Sequence, residues 1–317
     1  MPKLTERYHL NFYGGEPLLS YEYIRRAVEL SEQKNIQLNK HPSYSITTNA
    51  SLITSEIIRF FDEHSFSVVV SFDGLAQNLQ RDQNSFDKII ENIRKLLSFP
   101  RIKLKINSVF TPESVGLISD SVKFLLNLNV PNIHISFSTI RPWERSSILR
   151  LENELQILRG ILLTHYKMTG KIPVENFRKR NSKGIFQCAA GKDRLAITPD
   201  GLIWGCFLFP DYFKSKEHSP EYQKFCFGNL DDFISDSESI HSQIYSNYKQ
   251  LTMANFTTPK KECFLCSELE SCTVCPVNAA FAGLPLGQVP EHICAVQKIR
   301  IKEREKFWNG IIKLTDH

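Results

Sequence analysis

Between residues 9 and 166 the chain repeats one pattern five times: a short run rich in β-branched or aromatic residues, then an amphipathic stretch. The runs are HLNFY (9–13), YSITT (44–48), SVVVSF (67–72), IKLKINSVF (102–110) and NIHISFSTI (132–140). The stretches that follow them are YEYIRRAVELSEQ, TSEIIRFFDEH, SFDKIIENIRKLL, ESVGLISDSVKFLLNL and ILRLENELQILRGILLTHY. Strands that alternate with helices pair in parallel through right-handed crossovers. Runs this apolar suit a sheet covered by helices on at least one face. The expected class is therefore α/β with a parallel sheet.

In such sheets ligand-handling groups collect beyond the C-terminal ends of the strands. There the chain carries Gly14-Gly15-Glu16-Pro17 after the first run, Asn49 after the second and Asp73-Gly74 after the third. Each of these is a good turn former by itself. Three successive polar loops converging on one rim point to a ligand site. For Asp73, a turn role before Gly74 is the expectation, and no side chain stands out as a catalytic base. After the fifth run, Arg141, Trp143 and Arg145 fit either a peptide contact or a surface cap.

Beyond about residue 170 the periodicity fades. KIPVENFRKRNSKG (171–184) reads as a polar linker, and RLAITPDGLIWGCF (194–207) as a hairpin turning at Pro199-Asp200-Gly201. A final helix is expected over VQKIRIKEREKFWNGIIKL (296–314), with metal ligation standing in for missing core before it. All eight cysteines lie in this part, five of them in the run C-x2-C-x5-C-x2-C-x18-C formed by Cys263, Cys266, Cys272, Cys275 and Cys294. Short spacings of this kind bring thiolates onto a metal or a cluster at little entropic cost.

The N-terminus has no apolar h-region and no stretch reaches the ~18–20 apolar residues of a membrane span, so a cytoplasmic protein is expected. In a reducing compartment clustered cysteines bind metal more often than they form disulfides. A tetrahedral zinc on the four cysteines of the short run is one solution; iron-sulfur ligation that also uses Cys188, Cys206 and Cys294 is another. The 39 basic and 34 acidic residues form no long basic block, which speaks against a nucleic-acid partner.

FYGGEPLL, SITTNASL and SFDGLAQNLQRDQNSFDKIIENIRKL resemble, in that order, radical SAM enzymes. The CxxG at Cys188–Gly191, the PDG turn, Phe227-Gly228-Asn229-Leu230 and Cys275-Pro276 resemble the SPASM domain that follows the barrel in one branch of that family. The resemblance implies an incomplete parallel (β/α) barrel missing its first strand (1–170) and a small cysteine-rich iron-sulfur domain (171–317). It implies that Gly14, Gly15 and Glu16 hold the methionine end of S-adenosylmethionine, that the Asn49 loop lines the same site, and that Ser71 and Arg81 contact the cofactor. It implies two auxiliary 4Fe-4S clusters, one on Cys263, Cys266, Cys272 and Cys294, the other on Cys188, Cys206 and Cys275, whose fourth iron is either open or held by Cys226, itself otherwise a surplus buried thiol.

A complete member of this branch cleaves adenosylmethionine to a 5'-deoxyadenosyl radical and modifies a peptide or protein side chain. The chain departs from the family in three places. Ser71 and Arg81 are about two residues closer than the family pattern, and only Thr273 and Val274 separate Cys272 from Cys275. The radical-generating CxxxCxxC does not occur, since no cysteine precedes Cys188. The expectation is a chain that lacks its N-terminal segment and is inactive alone, served by an electron donor or a complementary fragment. The alternative is a non-catalytic iron-sulfur protein that binds a precursor peptide or relays electrons.

Overall fold

The computed structural model describes residues 6–179 and 185–315. Strands β1 (Arg7–Phe12), β2 (His41–Thr48), β3 (Ser67–Ser71), β4 (Lys103–Phe110) and β5 (Ile133–Phe137) form a parallel sheet in the order β1-β2-β3-β4-β5. Its crossovers are the helices Tyr21–Leu38, Ser55–Glu63, Phe86–Leu97 and Ile118–Asn127, and a longer helix, Arg145–Thr169, follows β5. The α/β class and the open arc of five strands are as the sequence predicts.

Strand period sorts the side chains onto two faces. Ile46, Val68, Val70, Ile106, Ile133 and Ile135 point into the helical layer and are essentially fully buried. Phe66 and Phe61 stack nearby with ring centroids 4.8 Å apart, both at zero exposure. Burying each ring contributes about 2–3 kcal/mol. The opposite face carries His9, Asn11, Ser43, Ser45, Ser71, Asn107, His134 and Ser136, a polar surface of a kind that meets a ligand rather than a core.

Local chemistry sets the helix ends. Thr54 caps the helix Ser55–Glu63 by accepting the Ile57 N–H, and Asn39 ends Tyr21–Leu38 in the left-handed conformation (φ 48°).

The segment after Thr169 differs from the linker expectation. The Ile133 N–H donates to the Pro173 carbonyl, Val174 bridges Ile133, and both Val174 and Phe177 are buried. Asn176 accepts the Ile135 N–H at 2.8 Å and donates to the Ile135 carbonyl at 2.9 Å. Its side-chain amide thus occupies the edge of β5 as a neighbouring peptide would. Two apolar residues and one amide amid charged neighbours explain why composition read as linker. The residues 180–184 of that expectation lie outside the described chain.

By packing, residues 303–315 and 145–179 belong with this sheet. The helix Glu291–Thr315 enters the unit at Glu303, where Arg159 Nη1 stands 3.0 Å from the fully buried carboxylate. Trp308 donates to the Phe177 carbonyl at 2.8 Å.

The second unit comprises residues 139–144 and 185–302. A small antiparallel sheet, β6 (Ala196–Ile197), β7 (Leu202–Trp204) and β8 (Cys226–Asn229), contains the expected hairpin, with Gly201 at φ +81° in its turn. Its third strand carries no sequence signal. Trp204, Phe209, Phe213, Phe225, Phe227, Phe233 and Tyr248 build a buried aromatic cluster, so this part has a core of its own where ligation was expected to stand in for some of it. Trp143 is buried at 4% exposure, which removes it as a surface contact for a peptide, while Arg141 and Arg145 are exposed.

Candidate functional site

The rim at the C-terminal ends of the strands is built by three carboxylate and amide clamps. Glu16 accepts from the Leu18 N–H (3.1 Å) and the Thr48 hydroxyl (2.7 Å) through Oε1, and from the Asn49 N–H (2.7 Å) through Oε2. The carboxylate therefore joins the loop after β1 to the loop after β2. Gly14, at φ +152°, takes a backbone conformation that favours glycine, and a Cβ at Gly14 or Gly15 would meet nothing within 4 Å. The two glycines present an open backbone surface beside the Glu16 clamp.

Asn49 folds its side chain over the next turn, accepting from the Ser51 N–H at 2.8 Å, and Ala50 follows in the left-handed region (φ 60°). An alanine held there costs about 1–2 kcal/mol and persists because Asn92, itself buried, donates to its carbonyl at 2.8 Å. Ser71 ends β3 on the polar face with no hydrogen bond to a described residue.

Asp73 is the largest departure from expectation at this rim. It is 2% exposed and serves as a buried anchor: Oδ1 accepts the Val109 N–H at 2.8 Å, and Oδ2 accepts Arg81 Nε at 2.7 Å and Gln80 Nε2 at 3.1 Å. Arg81 Nη2 adds a contact to Oδ1 at 3.3 Å, so the guanidinium is held as a fork. Gly74 is required next to it, because φ is +60° and a Cβ would lie 2.4 Å from the Ser121 Cβ. The structure thus brings Glu16, Asn49, Asp73 and Arg81 into hydrogen-bonded loops, with Ser71 and the glycines unencumbered.

In the second unit the cysteines fall into two groups. Cys188 is within electrostatic reach of Cys275 and Cys206, and burial pushes its thiol up to about 11. Cys263 is in reach of Cys272, Cys294 and Cys266, and burial likewise pushes it up to about 11. Burial also raises Cys206 and Cys294. Cys275 thus groups with Cys188 and Cys206 although only two residues separate it from Cys272. Cys226 packs against the same buried aromatic cluster as Cys188, Cys206 and Cys275, and burial raises its thiol. Among the described residues no three His, Cys, Asp or Glu side chains converge on a single metal-ion position.

Tyr248, which sequence reading did not single out, organises the first group. Its hydroxyl accepts the Gly205 N–H at 2.9 Å and donates to the Phe225 carbonyl at 2.5 Å. Its ring lies against Gly191 and Gly205, where an added Cβ would stand 2.7 Å and 2.5 Å from ring carbons. The CxxG glycine is therefore needed both for its φ of +71° and for this contact. His241 closes the arrangement at 2.8 Å from the Gly191 carbonyl. A tyrosine in an amphipathic helix carries no signal for such a role.

None of the described helices is long and apolar enough to cross a membrane. No family model matches the chain. In sequence it is similar to the radical SAM cyclopropyl synthase TigE of Paramaledivibacter caminithermalis, 28% identical over 216 residues, which is 64% of this chain and 44% of that protein. It is also similar to the cysteine-type anaerobic sulfatase-maturating enzyme of Clostridium novyi, 32% identical over 120 residues, 36% of this chain and 32% of that protein. The chain thus spans under half the length of these two curated relatives. In fold it matches the solved structure of anSMEcpe with bound AdoMet and the Cp18Cys peptide, with a TM-score of 0.72 at 17% identity over 97% of this chain and 87% of that one.

In sequence the chain resembles radical SAM enzymes, and its sheet has the fold of a solved one. Within that class the likeness is to maturases that carry a SPASM domain, as the sequence motifs imply.

Proposed function

We propose that the chain is the cofactor- and substrate-facing portion of a radical SAM/SPASM enzyme that modifies a side chain of a peptide or protein. The observation that carries this reading is that Cys188, Cys206 and Cys275 pack against one buried cluster while Cys263, Cys272 and Cys294 lie in or against another. A zinc on the short run would draw on Cys275 together with Cys263, Cys266 and Cys272, whereas Cys275 packs against the same cluster as Cys188 and Cys206. The all-thiol donor sets support two iron-sulfur clusters, the three-cysteine set having its fourth iron site open or held by Cys226. When bound, such clusters supply one-electron redox capacity.

Gly14, Gly15, Glu16, Asn49, Ser71 and Arg81 form the adenosylmethionine side, and the polar face of the sheet receives the substrate. The preset loops support this, since Glu16 and Asp73 fix backbone and guanidinium donors before any ligand arrives. Peptide as substrate class is supported by the fold neighbour solved with a peptide. The organisation is a partial barrel followed by a SPASM-like portion, and the reaction runs in the cytoplasm with an electron donor. Because CxxxCxxC does not occur among the 317 residues, this chain alone does not cleave adenosylmethionine.

Anaerobic purification with reconstitution tests the reading. The expected result is a brown protein with about eight iron and eight sulfide per chain, measurable adenosylmethionine binding by equilibrium dialysis, and no 5'-deoxyadenosine with a strong reductant. A colourless protein with one zinc, or release of 5'-deoxyadenosine, overturns it. Clusters without adenosylmethionine binding would leave the electron-relay alternative in its place.

A further inference from the structure

His134 lies on β5 between two fully buried isoleucines, so its side chain stands on the polar face of the sheet. Strand register places it opposite Asn107, and Asn107 opposite Ser71. Ser71, Asn107 and His134 therefore form one row across three strands, with His134 about 10 Å from Ser71 at the usual strand spacing.

One ring nitrogen faces a carboxylate. His134 Nδ1 is buried, lacks a conventional hydrogen bond and stands 3.4 Å from Glu175 Oε2. Glu175 Oε2 in turn lies 2.5 Å from Lys105 Nζ, and Arg178 Nη1 is 4.0 Å from Oε1. No hydrogen bond joins His134 Nε2 to a described residue, and about a third of the side chain (35%) is exposed.

Glu175 is not a loose surface acid. The residue before it bridges Ile133 and the residue after it grips both backbone groups of Ile135, so the turn is fastened to β5 on either side of His134. Phe177 packs against Phe307 at 5.4 Å, and Trp308 holds its carbonyl. The neighbouring His134 and Lys105 keep the carboxyl down at about 2, so it is an anion throughout the neutral range. A fixed anion behind one ring nitrogen and an open second nitrogen is the arrangement of an oriented base.

We propose that His134 Nε2 is a proton acceptor for the ligand bound on the polar face, oriented through Nδ1 by Glu175. The proposal rests on the reading of that face as the substrate side. In the step, the ligand X–H bond breaks and its electron pair stays on X, while Nε2 takes the proton. Glu175 remains ionised and stabilises the imidazolium; Lys105 and Arg178 keep it ionised.

The test uses the full chain. Nitrogen-15 spectra of the imidazoles, with His134→Gln to assign the ring, should show neutral His134 protonated at Nδ1. Diethylpyrocarbonate, which acylates an unprotonated imidazole nitrogen, should modify His134 among the nine histidines of the chain, as read by peptide mass mapping. Glu175→Gln should slow that modification by roughly tenfold, the loss of one charge-assisted contact to the ring, and leave the other histidines unchanged. A ring protonated at Nε2, an unreactive His134, or a rate indifferent to Glu175→Gln refutes the proposal. Normal adenosylmethionine binding beside any of these results sinks this inference alone; lost binding with a reactive His134 sinks the functional reading instead.

Discussion

The Asp73–Arg81 clamp is the feature whose energetics can be worked out most fully. In Asp73→Asn the amide oxygen can keep the Val109 N–H, but an NH2 then faces Arg81 Nε and Gln80 Nε2, donors opposing donors. Hydrogen bonds to charged groups contribute ~1.5–3 kcal/mol each, and two are lost. Arg81 is 30% exposed and regains part of this from water, which brings the expected cost to about 2–4 kcal/mol. Arg81→Gln leaves a carboxylate at 2% exposure with its backbone and Gln80 donors, and should cost about 2–3 kcal/mol. Because both variants break the same pair, the double variant should fall short of the sum by about 1.5–3 kcal/mol. Urea unfolding followed by far-UV circular dichroism gives all four stabilities. Single costs below about 0.5 kcal/mol, with coupling below about 0.3, would show that Asp73 only shapes the turn and that the clamp argument fails.

Two further outcomes follow from residues nearby. Glu175 titrates at about 2 in the folded chain against an ordinary 4.5, so its contribution is complete above 4.5 and is lost as pH falls toward 2; after allowance for solvent screening, Glu175→Gln should cost about 1–2 kcal/mol at pH 6 and almost nothing at pH 2, read as the gap in urea midpoint between variant and parent. Gly74→Ala should cost about 2–5 kcal/mol, combining a left-handed alanine with a Cβ driven into Ser121, and adding Ser121→Gly should recover the steric share but not the backbone share, as measured by thermal melts.

The five strands are legible because each is a short run rich in β-branched or aromatic residues followed by an amphipathic stretch, and loops carrying Gly-Gly-Glu, Asn and Asp-Gly mark the rim. What escaped reading shares a physical cause: it depends on pairings distant in sequence. Asp73 meets Val109 only after β4 has docked, and nothing local distinguishes a buried anchor from a turn former. Glu175 and His134 are brought together by a turn that composition classed as linker, with Val174 and Phe177 too few to register as an apolar run. Trp143 looked like a surface aromatic because arginines flank it, yet its own side chain is buried. The cysteine groups were separable in sequence only through the family motif. Their spacing alone would have put Cys275 with Cys272.

The amide of Asn176 has a consequence for how the sheet can be extended. Both backbone groups of Ile135 are consumed by one side chain, whereas among the described residues no strand pairs with the outer edge of β1. A sheet stoppered along β5 has a polarity of assembly: an additional strand is turned away beside Ile133–Phe137. One asparagine, with the Pro173 carbonyl and Val174 beside it, closes this margin of the arc.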